Sequence, residues 1–378
     1  MQKKLIALAV AGLVSGAAFA QSNVTVYGIV DAGFVNSSGD RSGTNQGSAN
    51  YSGIDSGIWA GSRIGFKGEE GLGNGLKAIF TLEYYIAPDI NSGLGSATDP
   101  DGAGATTSSS RQTFVGLNSA KLGTVALGRQ YAPGYAFSVR NDPQGGATIS
   151  ALSTVNTAGA NSISAGSRAR INNAVTYASP NWSGFTANAI YGYGEGGGST
   201  TNGVSQGNDG FWGAGLNYAN GPLNLDVVYQ SRQGITSTLI ASSAATQDSV
   251  NEWALGGTYD FKVVKLYATY LDQNDNNGTS AQEASNRVWS IGASAPVFTN
   301  GKVSLGYADV SWDRSGAGSS SSWSLAYQHS LSKRTTLYTA YTYAGNDNDT
   351  LNAAGPVKNT RFIGENNNTF VAGVTHSF

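Results

Sequence analysis

The chain has 378 residues, with 22 Lys plus Arg against 24 Asp plus Glu for a formal net charge of −2, and it contains 52 Gly, 19 Tyr, 13 Phe and no Cys. So even a charge balance excludes a nucleic-acid partner and a polybasic membrane patch, and the missing Cys excludes a disulfide framework. Gly, at about 14% against a usual ~7%, combines with abundant Tyr and a mean hydropathy of −0.21 to suggest Gly-permissive strands with aromatic belts.

Residues 1–20 read as a secretory signal peptide cleaved before Gln21. Lys3 and Lys4 precede an apolar run over 5–14, and Ala18-Phe19-Ala20 supplies the small-residue end. The run is too short for a membrane-spanning helix, which needs about 20 apolar residues. Removing Lys3 and Lys4 takes the formal charge from −2 to −4.

Period-two patterning recurs through the remaining chain and predicts sixteen strands. In chain order they cover 24–35, 59–69, 76–86, 111–119, 124–130, 170–178, 185–193, 211–218, 223–233, 252–261, 264–271, 287–295, 303–312, 322–331, 335–344 and 370–378. Short turns such as Gly71-Leu72-Gly73-Asn74-Gly75 and Ser332-Lys333-Arg334 alternate with long polar stretches such as 272–285 and 346–367. Long and short connections therefore fall on opposite rims. The last strand shows the pattern most plainly: Phe370, Ala372, Val374, His376 and Phe378 share one parity, Val371, Gly373, Thr375 and Ser377 the other. This is the signature of an all-β, 16-stranded antiparallel transmembrane β-barrel. It escapes hydropathy scans because every second residue faces the lumen.

Energetics assign the faces. Arg or Lys on the lipid side near the midplane costs roughly 2–4 kcal/mol, so Arg63 and Lys67 point inward and Ile64 and Phe66 outward. In the next strand Lys77, Thr81 and Glu83 take the inward parity, leaving Leu76, Ala78, Phe80, Leu82 and Tyr84 outside. Asn173 falls on the outward parity of its strand and breaks the rule. Tyr267, Tyr270, Tyr341 and Tyr343 are expected in an aromatic girdle. A barrel of sixteen to eighteen strands leaves an aqueous channel, so function depends on what narrows it. Residues 131–167 form a polar segment far longer than a hairpin needs, and loops beyond ~12–15 residues are usually functional. An inward fold of this segment, the third long loop, would constrict the pore.

Several stretches resemble the general porins of Gram-negative outer membranes, particularly the betaproteobacterial branch. Val24-Thr25-Val26-Tyr27-Gly28 with Asp31 resembles that family's first strand, and Ser62-Arg63-Ile64-Gly65-Phe66-Lys67-Gly68-Glu69-Glu70-Gly71-Leu72-Gly73 its second strand and turn. Arg111 through Gly116-Leu117, followed by Gly128-Arg129, resembles the run into the third loop. The resemblance implies a homotrimer of 16-stranded barrels in the outer membrane, surrounded by lipid and lipopolysaccharide and passing ions and small hydrophilic solutes without a cofactor. It also implies a pore constriction with Arg63, Arg111 and Arg170 on the wall, Lys67 and Arg168 as outer members, and loop acids facing them. Asp142-Pro143-Gln144-Gly145-Gly146 stands where the family often has Pro-Glu-Phe-Gly-Gly, so Gln144 replaces the expected Glu, and Ile29 occupies a position that is basic in some members. Only Asp142 is left to oppose the arginines. A permanently charged guanidinium attracts an anion at ~4 Å by about 1 kcal/mol even at bulk-water dielectric, so the expected channel prefers anions. The alternative is a solute-specific channel for a sugar or an organic anion.

Two weaker signals remain. Asp272, Asn274, Asn276 and Glu283 have the oxygen spacing of a calcium loop, but Asn277 stands where such loops need Gly. His329 and His376 are the only histidines and lack metal-ligand spacing to each other. A barrel hydrolase would need a histidine oriented beside a nucleophile, whereas each of these sits near a strand end where an aromatic belt is expected, which argues against an enzyme.

Overall fold

In the computed structural model the described residues are 23–41, 47–90, 110–194, 210–235, 248–276, 284–357 and 360–378. The proposed signal peptide lies outside them. Among the described residues, seventeen strand segments form one antiparallel sheet that closes on itself. In order they are β1 (Asn23–Arg41), β2 (Gly47–Ser56), β3 (Arg63–Gly73), β4 (Leu76–Tyr85), β5 (Ser110–Ser119), β6 (Gly123–Tyr131), β7 (Arg170–Ala178), β8 (Phe185–Gly192) and β9 (Phe211–Asn220). There follow β10 (Leu223–Ile235), β11 (Asp248–Asp260), β12 (Lys265–Asp275), β13 (Asn286–Val297), β14 (Gly301–Trp312), β15 (Ser319–Ser330), β16 (Thr335–Asn346) and β17 (Asn367–Ser377).

Seventeen segments occupy sixteen positions, because β2 and β3 share one: β1 pairs with β3 over Asn23 to Ile29 and with β2 over Ala32 to Arg41. The ring closes where β1 pairs with β17, Val30 opposite His376 and Asn36 opposite Phe370. The sixteen-strand count therefore stands, with one correction. The second strand does not start at Trp59: residues 57–62 bend out of the sheet, and a separate segment, β2, continues the position above them. Asp31 holds the bend. Its Oδ1 accepts from Ile58 N at 2.7 Å and Trp59 N at 3.2 Å, while Ser62 Oγ accepts from Asp31 N and donates to Asp31 O, both at 2.9 Å.

The alternation predicted for the wall is present. Phe370 and Val374 of β17 are exposed, whereas Val371 and Thr369 are buried. Between β8 and β17 the outer face carries a continuous aromatic belt. Tyr191 lies opposite Trp212, Tyr229 opposite Trp253, Tyr270 opposite Trp289, Tyr307 opposite Trp323 and Tyr341 opposite Phe370. Each Trp also packs on the Tyr of the following strand, as in Trp253–Tyr270 at 5.4 Å and Trp289–Tyr307 at 5.2 Å. Such belts sit at the headgroup level of a bilayer. Tyr270 and Tyr341 belong to it as expected. Tyr267 does not: it shares parity with buried Thr269 and Leu271, and its hydroxyl meets Ser294 Oγ at 3.1 Å on the opposite face.

Two register shifts change what parity alone implies. Between β4 and β5 the pairing jumps from Glu83↔Gln112 to Tyr84↔Ser110, leaving Arg111 as the extra residue of a bulge. Between β6 and β7 it jumps from Gly128↔Ala174 to Gln130↔Ile171, and Asn173 takes φ +47. The exceptional parity of Asn173 is that bulge.

The segment joining β6 to β7 contains α1 (Pro133–Arg140) and α2 (Ala151–Gly159). Pro133 opens α1, where its missing N–H is harmless, and Ser150 Oγ caps α2 by accepting from Ser153 N at 3.0 Å. Leu152, Val155 and Ala158 of α2 pack with Val288, Ala308 and Val310, which lie on the opposite face of the wall from the exposed apolar rows.

Candidate functional site: the arginine cluster

Four of the expected basic residues come together. Arg63, Arg111, Arg168 and Arg170 line one cavity of about 260 Å3, with Trp59, Tyr85, Tyr135 and the backbone around Gly61 and Gly146. Arg63 and Arg111 arrive from neighbouring parts of β3 and β5, the latter turned in by its bulge. Arg168 sits within the short 3-10 turn Ser167–Ala169, and Arg170 follows it. Lys67 stands apart: exposed, with its Nζ 5.2 Å from the Tyr27 ring centroid, it does not line this cavity.

Tyrosine rings pack against the guanidiniums. Arg111 lies over Tyr85 at 4.7 Å, and Arg170 over Tyr85 at 5.1 Å and Tyr131 at 5.4 Å. Tyr131 stacks on Tyr135 at 3.7 Å with 9° between planes. Arg111 Nη2 donates to Tyr131 Oη at 2.8 Å, and Arg170 Nη1 to Ser167 Oγ at 3.0 Å. Burial raises the pKa of the Tyr135 hydroxyl, but the guanidiniums of Arg111 and Arg63, the hydrogen bond with Tyr131 and the Arg170 guanidinium outweigh it and leave it lowered.

The opposing carboxylate is Glu83, not Asp142. Glu83 Oε1 accepts from Arg111 Nε at 2.8 Å and lies 3.9 Å from Arg63 Nη1. Its inward parity is legible in β4, but its partnership with Arg111 depends on the bulge. Asp142 is 4% exposed and serves its own turn, accepting from Gly146 N at 2.6 Å. Burial pushes its carboxyl up to about 6, against the opposing pull of Gly146 N, Ser150 and Lys302.

The segment bearing α1 and α2 is tied to the wall at sites that the sequence reading missed. Gly134 N donates to Gln230 Oε1 at 2.6 Å, and Arg140 Nε and Asn141 Nδ2 donate to Asp226 Oδ2 at 3.3 and 2.9 Å. Glu252 on β11, 1% exposed, accepts from Ser162 N at 2.7 Å and Ile163 N at 3.1 Å and pairs with Arg232 at 3.0 Å. Gln144 Nε2 reaches Ser324 O at 3.0 Å, and Thr148 N reaches Ile58 O at 3.1 Å. Gly292 and Gly256 leave room for this packing: a Cβ on them would meet Pro143 at 2.6 Å and Phe137 at 2.8 Å.

The calcium pattern is described only in part. Asp272 and Asn274 belong to strand β12, which runs on to Asp275 where a loop was expected from 272. Glu283 lies outside the described residues, among which no metal-binding group of three acids or histidines occurs. His329 meets Tyr327 Oη at 3.1 Å and His376 meets Thr335 Oγ1 at 2.9 Å, both near strand ends.

A closed sixteen-position barrel with an apolar belted exterior and a charged cavity defines a transmembrane channel of the outer-membrane type. The profile of the Gram-negative porin family matches residues 7–349, and the chain belongs to that family. It is 31% identical to outer membrane porin protein 32 of Delftia acidovorans over 100% of both chains. It is 30% identical to an outer membrane porin protein of Bordetella pertussis over 92% of this chain and 95% of that one. Among solved structures, the anion-selective porin from Comamonas acidovorans superposes with TM-score 0.72 at 26% identity, covering 95% of this chain and 100% of that one. OmpT of Vibrio cholerae, solved in a trimer form, shares the fold with TM-score 0.59 at 12% identity, over 94% of this chain and 99% of that one. The protein is an outer-membrane porin, a water-filled channel for passive diffusion of small hydrophilic solutes.

Proposed function

We propose that the segment 131–167 lies within the lumen as its constriction, and that the arginine cluster makes the channel anion-preferring. The observation that carries this reading is the charge imbalance at one cavity, Arg63, Arg111 and Arg170 against the carboxylate of Glu83. Several fixed positive charges in a confined space lower the energy of a passing anion and raise that of a cation. The hydrogen bonds from Gly134, Arg140, Gln144 and Ser162 to inward residues of distant strands support the inward position of the segment. The similar porin from Comamonas acidovorans is described as anion-selective, which supports the same preference in this channel.

Assembly as a homotrimer forms part of the proposal. Among the described residues the aromatic belt is not continued across β1 to β6, where, Tyr84 apart, the outer rows include Val24, Val26, Phe34, Ile54, Val115 and Leu127. An apolar surface without a headgroup belt suits contact with another subunit better than contact with lipid. Bilayer recording of the wild type and Arg63→Ala tests the selectivity: the variant keeps an open channel and loses part of the anion preference. Unchanged selectivity in Arg63→Ala counts against the cluster.

A further inference from the structure

We propose that the outer wall over β11 to β13 seats one acyl chain of an anionic phospholipid, drawn from the bilayer leaflet on the short-turn side. Going beyond the channel function, this concerns how the barrel is held in its membrane.

The surface there is hollow. Gly257 of β11 pairs with Ala268 of β12, and Leu266 of β12 pairs with Ala293 of β13, so three small outward residues lie side by side. Around them stand Leu225, Ile291 and Leu305, each 45% exposed or more, which turn the missing side chains into a groove of about 670 Å3. Leu225 leans over the floor: its Cδ2 is 3.0 Å from where a Cβ on Gly257 would sit.

The ends of the groove differ. Toward the long-loop rim it stops at Tyr307, part of the Trp/Tyr belt. Toward the other rim it opens past Tyr259 to the turn 261–264, which joins the two floor strands and carries exposed Lys262. The Asp260 carboxylate is turned back onto the Lys262 backbone, accepting from its N–H at 2.7 Å. Lys262 Nζ forms no ion pair among the described residues. Lys262 lies a little beyond three register steps from the Gly257–Ala268 pair, about 10 Å at ~3.4 Å per residue. That separation suits a phosphate at the membrane surface whose chain descends into the groove.

A bilayer chain, rather than a second copy of this protein, is the occupant because the groove lies directly beneath the unbroken belt formed by Trp253, Tyr270, Trp289 and Tyr307. Aromatic belts mark wall that meets lipid headgroups.

The test is native mass spectrometry of the purified protein titrated with phosphatidylglycerol or phosphatidylcholine of matched chains. The wild type is expected to bind one phosphatidylglycerol about tenfold more tightly than phosphatidylcholine. Ala268→Trp, which fills the groove, weakens both by about tenfold. Lys262→Gln removes the difference between the two lipids while keeping chain binding. Ala214→Trp, on the outer face of β9, serves as the control and leaves binding unchanged, and all variants keep wild-type conductance. Equal lipid binding by Ala268→Trp and the wild type overturns the proposal, as does a change in oligomeric state in Ala268→Trp with lipid binding intact.

Discussion

Arg111 donates from Nε to Glu83 Oε1 at 2.8 Å although it shares sequence parity with Val115 and Leu117, which are exposed on the outer wall. The bulge between Glu83↔Gln112 and Tyr84↔Ser110 turns one residue of β5 from the lipid side to the lumen. A guanidinium left outside would cost roughly 2–4 kcal/mol near the midplane; turned inside, it joins Arg63 and Arg170 beside the Glu83 carboxylate.

Glu83→Gln therefore makes the channel more anion-preferring. Removing one negative charge ~4 Å from the permeation path is worth about 1 kcal/mol at bulk dielectric, roughly a fivefold change in relative anion to cation permeability. Reversal potentials measured in the variant check this, and a shift toward cations contradicts it.

The anchoring of the segment is testable at Glu252. Glu252→Gln loses the charge that holds Ser162 N, Ile163 N and Arg232 together. Breaking a buried pair from one side typically costs about 3–5 kcal/mol. The variant is expected to melt at lower temperature and to show a noisier open state in single-channel records, while its ion preference stays close to that of the wild type.

Gly292→Val tests the packing of the same segment. Its side chain would strike Pro143, since even a Cβ there lies 2.6 Å from that ring. Overpacking of this kind costs about 1–3 kcal/mol. The expected result is altered single-channel conductance in a barrel that still assembles; wild-type conductance would indicate that the segment is not held where Pro143 meets β13.

Asp142 predicts a pH dependence. Its carboxyl is pushed from the ordinary value of 3.8 to about 6 by burial, so folding favours the protonated form. Its contribution is fully present below pH 3.8 and is lost as pH rises through about 6, a difference of about 3 kcal/mol at most. Asp142→Asn flattens the change in thermal stability between pH 4 and pH 7 that this group contributes. An identical pH profile for variant and wild type speaks against this reading of the carboxyl.

Much of this architecture was readable from alternation alone, because a lipid-facing row admits few charges and a lumen row admits many. The faces of Arg63, Lys67, Ile64 and Phe66 follow from that rule, and so does the closing strand. What escaped reading depends on departures from the two-residue period. β2 is hidden in a Ser/Gly-rich stretch and separated from β3 by a bend that Asp31 holds through backbone N–H groups. The bulges at Arg111 and Asn173 have no local residue pattern that announces them. Glu83 was legible as inward, but not as the partner of Arg111. Asp142 looked like a pore acid because its sequence neighbourhood resembles the family loop, whereas its carboxylate is used by the Gly146 turn. Tyr267 was grouped with the girdle on residue type, although its parity with Thr269 and Leu271 already assigned it to the other face.

The sign of the reversal potential of the wild-type channel across a KCl gradient tests the central claim most directly. The guanidiniums of Arg63, Arg111 and Arg170 against Glu83 predict the sign of chloride passing more readily than potassium, with the preference shrinking as salt rises and screens the field. A potential of the opposite sign at low salt would contradict the account.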